Sequence, residues 1–372
     1  MKNSITGLEL HYLVKELQAL KDARLDKVYQ SEKKELLMSF HVTGKGKHLL
    51  KIMAGSYLYL TEYKDVAQEP TSFCMFLRKQ LGNARLRSIE QVGEERIVKL
   101  EFLAGDEKQL YIELFGKGNI ILCDSSNVIL GVEETQRWTD RTVKKGEKYK
   151  YPKKEFLFTK ITKKDILMMA EQSKDTIVKM LAASLGLGGL YAEEACFLSK
   201  VDKNKKAKEV NDKEAKAVAD AIKGLVSKEL TPVGMYKEGI LVEALPFPLN
   251  AYKEAEQKKF KSYSNLLDSI FTEAAVKTKE KGKTKLYDQK IQKIQKIIDV
   301  QEKRISELLE EYEKNSEKGN KLYEHYQVVD SIIKQLNKAW KEKKFEEIKE
   351  KLKGHKIIKD VKRKGEVVVE LK

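Results

Sequence analysis

From Tyr287 to Trp340 apolar residues recur on alternating three- and four-residue steps. The series is Tyr287, Ile291, Ile294, Ile298, Ile305, Leu308, Tyr312, Leu322, Tyr326, Val329, Ile333, Leu336 and Trp340. A heptad repeat sustained over so many turns dictates one long α-helix with a single apolar seam. Gln301, Asn315 and Gly319 occupy seam positions, so a break or bend is expected near the middle. A helix with one apolar stripe needs a partner. No second helical pattern of comparable length follows; beyond Gly354 the chain turns towards a strand at Glu366–Leu371. The expected partner is therefore a missing part of the protein or another chain, with a homodimer through the seam as one outcome.

Upstream the pattern changes. Leu8, Tyr12, Leu13, Leu17 and Leu20 recur at helical spacing. Alternating segments then read as strands at Arg24–Tyr29, Glu35–His41, His48–Ala54 and Ser56–Thr61, with Gly44–Lys47 as a hairpin turn. Thr71–Leu81 reads as a helix, and Leu86–Glu90, Arg96–Phe102, Gln109–Phe115 and Asn119–Asp124 as further strands. The reading is an α+β domain on an antiparallel sheet over residues 1–158. An all-helical segment over 159–226 follows, then a strand-rich connector at 227–260 bounded by Pro232, Pro246 and Pro248, then the coiled-coil helix and the start of a further domain at 261–372.

Charge narrows the partners. The chain carries 73 Lys plus Arg against 57 Asp plus Glu, a net +16 over 372 residues. Charges stay on surfaces unless paired, so this surplus makes a positive field that favours polyanions. No run approaches the roughly 18 apolar residues that span a bilayer, and the first residues are amphipathic, not a secretory signal. Cys74, Cys123 and Cys196 are far apart and odd in number, so no disulfide framework is expected. A reduced cytoplasmic setting follows, with no membrane partner.

Enzymatic signatures are weak. His11, His41, His48, His325 and His355 form no metal-ligand spacing, although His41 and His48 flank a hairpin. Gly282-Lys283-Thr284 lacks the earlier glycine and the strand that a phosphate loop needs. No cofactor is expected. Between two helical patterns, however, Gly186 and Gly188 bracket one apolar residue, with Gly189, Leu190 and Tyr191 opening the next helix. This is the spacing of a helix-hairpin-helix turn, whose glycines allow close backbone approach and whose N–H groups can hold a phosphate. Basic residues at Arg78, Lys79, Arg85, Arg87, Lys117, Arg137 and Arg141 could together make one positive face.

Several segments in order carry a resemblance: Ala23–Gln30 (ARLDKVYQ), Phe73–Leu81 (FCMFLRKQL), Ile89–Ile97 (IEQVGEERI) and Gly116–Leu122 (GKGNIIL), followed by Arg141, Gly146, Tyr149 and Pro152. With the Gly186–Glu194 turn and the long helix, they make the chain similar to the NFACT family of ribosome quality-control factors. The resemblance implies an N-terminal domain laid out like that of formamidopyrimidine-DNA glycosylases. It also implies a non-enzymatic factor that binds the rRNA of a large ribosomal subunit that carries peptidyl-tRNA. Such a factor recruits tRNA, alanine tRNA in bacteria and archaea, for untemplated C-terminal tailing. The family's Asp-Arg pair falls on Glu95-Arg96, and an early family aspartate on Glu9, each acid one methylene longer. The resemblance and the basic pattern together nominate Glu9, Arg24, Lys27, Arg78, Lys79, Glu95, Arg96, Lys117, Asn119, Arg141, Gly186, Gly188, Gly189 and Tyr191 as nucleic-acid-binding. The second coiled-coil helix and the C-terminal basic NFACT-R part are missing from this sequence. The competing reading is a nucleic-acid-processing enzyme related to those glycosylases, but the start Met1-Lys2-Asn3 offers no N-terminal proline for their chemistry.

Overall fold

The computed structural model describes residues 2–64, 69–138, 141–152, 154–342, 345–362 and 365–371, with backbone only for 273–290 and 342. Met1–Lys279 forms one compact unit and Glu280–Lys372 another.

The first unit begins with α1 (Gly7–Leu17), started by a capping box between Thr6 and Glu9. Four strands follow, β1 (Arg24–Tyr29), β2 (Glu35–Val42), β3 (Gly46–Met53) and β4 (Tyr57–Thr61), then α2 (Ser72–Leu81). Five more complete a large antiparallel sheet: β5 (Arg85–Gln91), β6 (Ile97–Ala104), β7 (Asp106–Glu113), β8 (Asn119–Asp124) and β9 (Ile129–Val132). Their order is β4-β3-β2-β1-β5-β6-β7-β8-β9, two meanders joined where Arg24 pairs with Arg85. A small hairpin, β10 (Gln136–Arg137) and β11 (Thr142–Val143), lies beyond β9 in sequence. The α+β class and antiparallel sheet read from the sequence are what the structure contains.

The helical segment comprises α3 (Lys163–Gln172), α4 (Ile177–Ser184), α5 (Gly189–Ser199) and α6 (Asp212–Ser227). A three-stranded sheet follows, with β12 (Val233–Lys237) between β13 (Ile240–Leu245) and β14 (Glu256–Lys259). The long helix α7 runs Tyr263–Glu324.

Helix α1 is buried on two faces. Leu10, Leu13 and Leu17 enter the core of the large sheet, while Leu8 and Tyr12 enter the core of the helical segment. Tyr263, Leu266, Leu267, Ile270 and Phe271 also lie in the sheet's core. The first compact unit thus continues past the boundary expected at 260/261, because the first turns of α7 carry an apolar face that the sheet needs.

The second unit contains the rest of α7, then α8 (Tyr326–Glu342), α9 (Phe345–Lys351) and a hairpin of β15 (Ile358–Val361) and β16 (Val367–Val369). Ile332, Leu336, Ile348, Ile358 and Val361 form its small core.

One expectation is corrected. The helix does not break near Gln301, Asn315 or Gly319; it runs through them and ends at Glu324. Gln301 and Asn315 face solvent, where no packing demands an apolar side chain, and one glycine costs a helix only about 1 kcal/mol. Ile291, Ile294, Ile298, Ile305, Leu308 and Tyr312 are likewise exposed, while the side chains of Tyr287, Lys283 and Thr284 lie outside the described residues. His41 and His48 are ladder neighbours, but the register pairs Phe40 with His48 and His41 with Lys47. Alternation then puts the two imidazoles on opposite faces of the sheet. β14 is absent from the sequence reading because EQKK has no apolar alternation. No helix among the described residues is long and apolar enough to cross a membrane.

Candidate nucleic-acid interface

Three backbone segments meet where α1 begins: the α1 start, the β5–β6 turn and the turn before α5. The Gly7 N–H donates to the Gly186 carbonyl at 3.1 Å. A Cβ on Gly7 would sit 3.0 Å from the Gly186 oxygen and 3.2 Å from the Glu94 oxygen, so the junction is closed by backbone against backbone. Gly186 and Gly188 have φ of +64° and +83°, which L side chains rarely adopt. A Cβ on Gly188 would approach Thr6 Cγ2 at 2.6 Å. Both turn glycines are therefore required by conformation, and Gly188 by space as well.

Glu94, with φ +57°, carries the β5–β6 turn across to the helical segment. Its carboxylate accepts from the Thr159 N–H at 3.2 Å and from the Phe158 N–H and Thr159 hydroxyl. Lys154 ties the same place together. Its ammonium donates to the Glu94 carbonyl at 2.8 Å and the Leu185 carbonyl at 3.3 Å, and lies 3.9 Å from the Glu95 carboxylate. Lys154 was not singled out in the sequence, where it is one lysine among many; only its burial between two carbonyl-bearing turns marks it.

Glu95 and Arg96 sit half-buried on this junction. The Arg96 guanidinium donates to the Ile5 carbonyl at 3.3 Å. Burial raises the Glu95 carboxyl, opposed by Lys154 and Arg96. Burial also lowers the Arg96 guanidinium, opposed by Glu95 and Glu9. Lys154 is lowered by burial too, against the pull of Glu95. Alternating charges in a partly desolvated corner suit a ligand with its own donors and acceptors.

Glu9 faces inward. It is fully buried and accepts from the Lys2 ammonium at 2.7 Å, the Tyr191 hydroxyl at 2.8 Å and the Thr6 N–H at 2.8 Å. Lys2 is shared with Glu243. Glu9, Tyr191 and the equally buried Asn119 cannot touch an external nucleic acid in this conformation, which corrects their nomination as direct contacts. Asn119 instead clamps the chain after β9, donating to the Glu134 carbonyl at 2.7 Å and accepting from its N–H at 3.2 Å.

Arg141 is corrected for the same reason. Its side chain is 8% exposed and bonds the 2%-exposed Glu113 carboxylate at 2.7 Å. The Tyr149 hydroxyl donates to the same carboxylate at 2.9 Å. The guanidinium is committed inside the fold, not offered to phosphate.

The remaining basic residues divide into two groups. Arg24, Lys27 and Lys79 are exposed on β1 and α2. Arg78 is half-buried there, donating to the Val28 carbonyl at 2.7 Å, and Lys27, Lys64 and Arg78 surround the Tyr29 ring. Lys117 is exposed in the turn after β7, beside a cleft it shares with Arg137 and Trp138. Gly189 is the first residue of α5, whose N-terminus has no side-chain cap.

Comparison with known proteins adds to this geometry. A sequence profile described as the NFACT N-terminal and middle domains matches residues 6–365. An archaeal relative from Methanocaldococcus jannaschii, called archaeal Rqc2 homolog aRqcH, is 30% identical over the whole of this chain. The chain spans 59% of that relative's length. The Bacillus subtilis Rqc2 homolog RqcH is 30% identical over 49% of this chain and 33% of its own length. Among solved structures, the N-terminal part of a fibronectin/fibrinogen-binding protein from Streptococcus suis matches with a TM-score of 0.59 at 22% identity, covering 73% of this chain and 100% of that one. That likeness shows a shared fold.

Proposed function

This chain belongs to the NFACT family, and we propose that it serves as the RNA-binding part of a ribosome quality-control factor. Relatives named as ribosome quality-control complex subunits support that role. In finer terms, it binds the large ribosomal subunit carrying peptidyl-tRNA and recruits tRNA, alanine tRNA foremost, for untemplated C-terminal tailing. The chain itself supplies binding and position, and peptide-bond formation belongs to the ribosome. The observation that carries this reading is the convergence of Glu95-Arg96 with the Gly186–Gly188 turn on the start of α1.

In this reading Arg96 and Glu95 meet tRNA, and the helix-hairpin-helix backbone with the uncapped start of α5 holds phosphate. Glu9 acts from behind: it fixes Tyr191 and Thr6, the residue next to the Ile5 carbonyl that Arg96 bonds. Arg24, Lys27, Lys79 and Lys117 supply the sequence-independent attraction to the RNA backbone.

The test is crosslinking and sequencing of RNA bound to the full-length protein in cells, with Arg96→Ala alongside. Enrichment of large-subunit rRNA and one tRNA family, with the tRNA signal lost in the variant and its melting temperature kept, is the expected result. Recovery of neither RNA class would remove the proposal.

A further inference from the structure

The cleft beside Lys117 contains features that backbone-phosphate binding does not need. It encloses about 580 Å³ and is lined by Phe115, Lys117, Gln136, Arg137, Trp138 and Arg141, among others. That volume falls within the roughly 300–1,000 Å³ of small-ligand sites and is too large for a lone phosphate ion. Its walls are fixed. The Gln136 amide donates to the Gly118 carbonyl at 3.1 Å, tying the β10–β11 hairpin to the turn after β7. That turn is itself packed backbone against backbone, since a Cβ on Gly118 would lie 2.1 Å from the Gly55 nitrogen.

Trp138 is the unexplained residue. A tryptophan carries a large apolar surface and is usually buried on average, yet this one is 43% exposed. It is not loose. Its backbone N–H donates to the Arg141 carbonyl at 2.9 Å, and the Arg141 guanidinium lies 4.3 Å from its ring centroid. Arg141 is in turn held by Glu113 and lies 5.6 Å from the Phe115 ring. A buried ion pair therefore presses a cation against the indole while the ring stays open to solvent. Exposed cations, Lys117 and Arg137, stand at the rim.

From this arrangement we infer that the cleft takes one unpaired RNA base, stacked on Trp138, with Lys117 and Arg137 on its flanking phosphates. Stacking suits every base because each has a π-face, and the adjoining cations suit the backbone that carries it. Thr135 and Gln136 provide side-chain polar groups in the lining for the base edge. The inference rests on the RNA-binding reading above and adds to it a second contact point, separate in composition from Glu95-Arg96.

The chain has two tryptophans, so Trp340→Phe leaves Trp138 as the sole indole. In that background the probes are unfractionated tRNA, a short single-stranded RNA of mixed sequence, the same oligomer as an abasic ribose-phosphate chain, and the four nucleoside monophosphates. The expected result is quenching of Trp138 by tRNA and by the base-bearing RNA, not by the abasic chain. Trp138→Ala in the native sequence is expected to weaken RNA retention on filters by about 5- to 150-fold, the cost of one lost stacked base. Retention of RNA by Trp138→Ala at native affinity, without quenching in the single-tryptophan protein, would overturn the cleft and leave the RNA reading standing. Absence of RNA retention by the native protein would overturn both. Quenching by a monophosphate at concentrations where RNA has no effect would reassign the cleft to free nucleotides and overturn its role in RNA binding.

Discussion

Arg141 separates two physical pictures of this surface, and replacing it with methionine tests them. Methionine keeps much of the apolar stem and removes the charge. The Glu113 carboxylate, 2% exposed, would then keep only the Tyr149 hydroxyl as a side-chain donor among the three groups that now bond one another. Removing one partner of a buried pair strands the other charge and typically costs about 3–5 kcal/mol. In a unit of this size each kcal/mol moves the melting temperature by roughly 2–4 °C, so a fall of roughly 6–20 °C is expected. Urea unfolding gives the free energy directly. Glu113→Gln added to Arg141→Met removes the stranded charge while keeping an acceptor for Tyr149, and should recover a large part of the loss. The result that refutes the reasoning is an Arg141→Met protein within about 1 kcal/mol of native that the second substitution does not improve. Arg141 would then be a surface cation, as the sequence alone suggested.

Gly188→Ala should lose about 1–3 kcal/mol from its left-handed backbone and the approach to Thr6 Cγ2. Adding Thr6→Ser, which keeps the capping hydroxyl and drops the methyl, should recover the steric part in a urea titration; no recovery would mean the contact is not what excludes a side chain. The His11 imidazole is pushed from 6.5 down to about 4, first by burial and then by Lys15. A depressed histidine is protonated more readily in the unfolded chain, so its contribution is intact above pH 6.5 and is lost progressively as pH falls towards about 4. His11→Phe, placed among Tyr12 and Phe158, should flatten that part of the stability–pH curve, and an unchanged slope would assign the acid sensitivity to other groups. Binding to RNA should weaken steeply with added salt if Arg24, Lys27, Lys79 and Lys117 neutralise phosphates, whereas a flat response would remove them from the interface.

What could be read from the sequence follows from where periodicity speaks. The large-sheet strands up to β8 alternate or run apolar, and their turns are marked by Gly44–Gly46 and Gly116–Gly118, so that part of the fold was legible. β9 to β11 and β14 are four residues or fewer, with no period to detect. The α7–α8 junction was also hidden, because the seam continues through it at Leu322, Tyr326 and Val329 while the interruption falls on His325. Residue type gave the candidate site only in part. Arg96, Gly186 and Gly188 were found and are brought together by the fold. Lys154 and Trp138 were not found, since a lysine in a lysine-rich chain and a tryptophan in a loop carry no pattern. Glu9 and Asn119 were nominated from the family resemblance and Arg141 from the resemblance and the basic pattern, neither of which says which side chains are buried. Their burial depends on long-range partners, Tyr191 for Glu9, Glu134 for Asn119 and Glu113 for Arg141, which no local window contains.

Those three inward polar residues share a consequence for the interface. Each sits directly behind a group that the proposed function assigns to RNA: Glu9 beneath the segment that Arg96 bonds, Asn119 next to the Lys117 turn, Arg141 against Trp138. A buried polar group that is fully bonded has few alternative arrangements, because leaving any donor or acceptor unmet costs about 1–3 kcal/mol. The groups in front therefore lose little freedom when a ligand binds, which lowers the ordering cost of association. Replacing an inward residue should consequently weaken RNA binding even though it never touches RNA, and the loss should track stability across a series. Replacing Arg96 or Lys117 should weaken binding at constant stability. The correlation, or its absence, between melting temperature and RNA affinity thus sorts positioning residues from contacts without a structure of the complex.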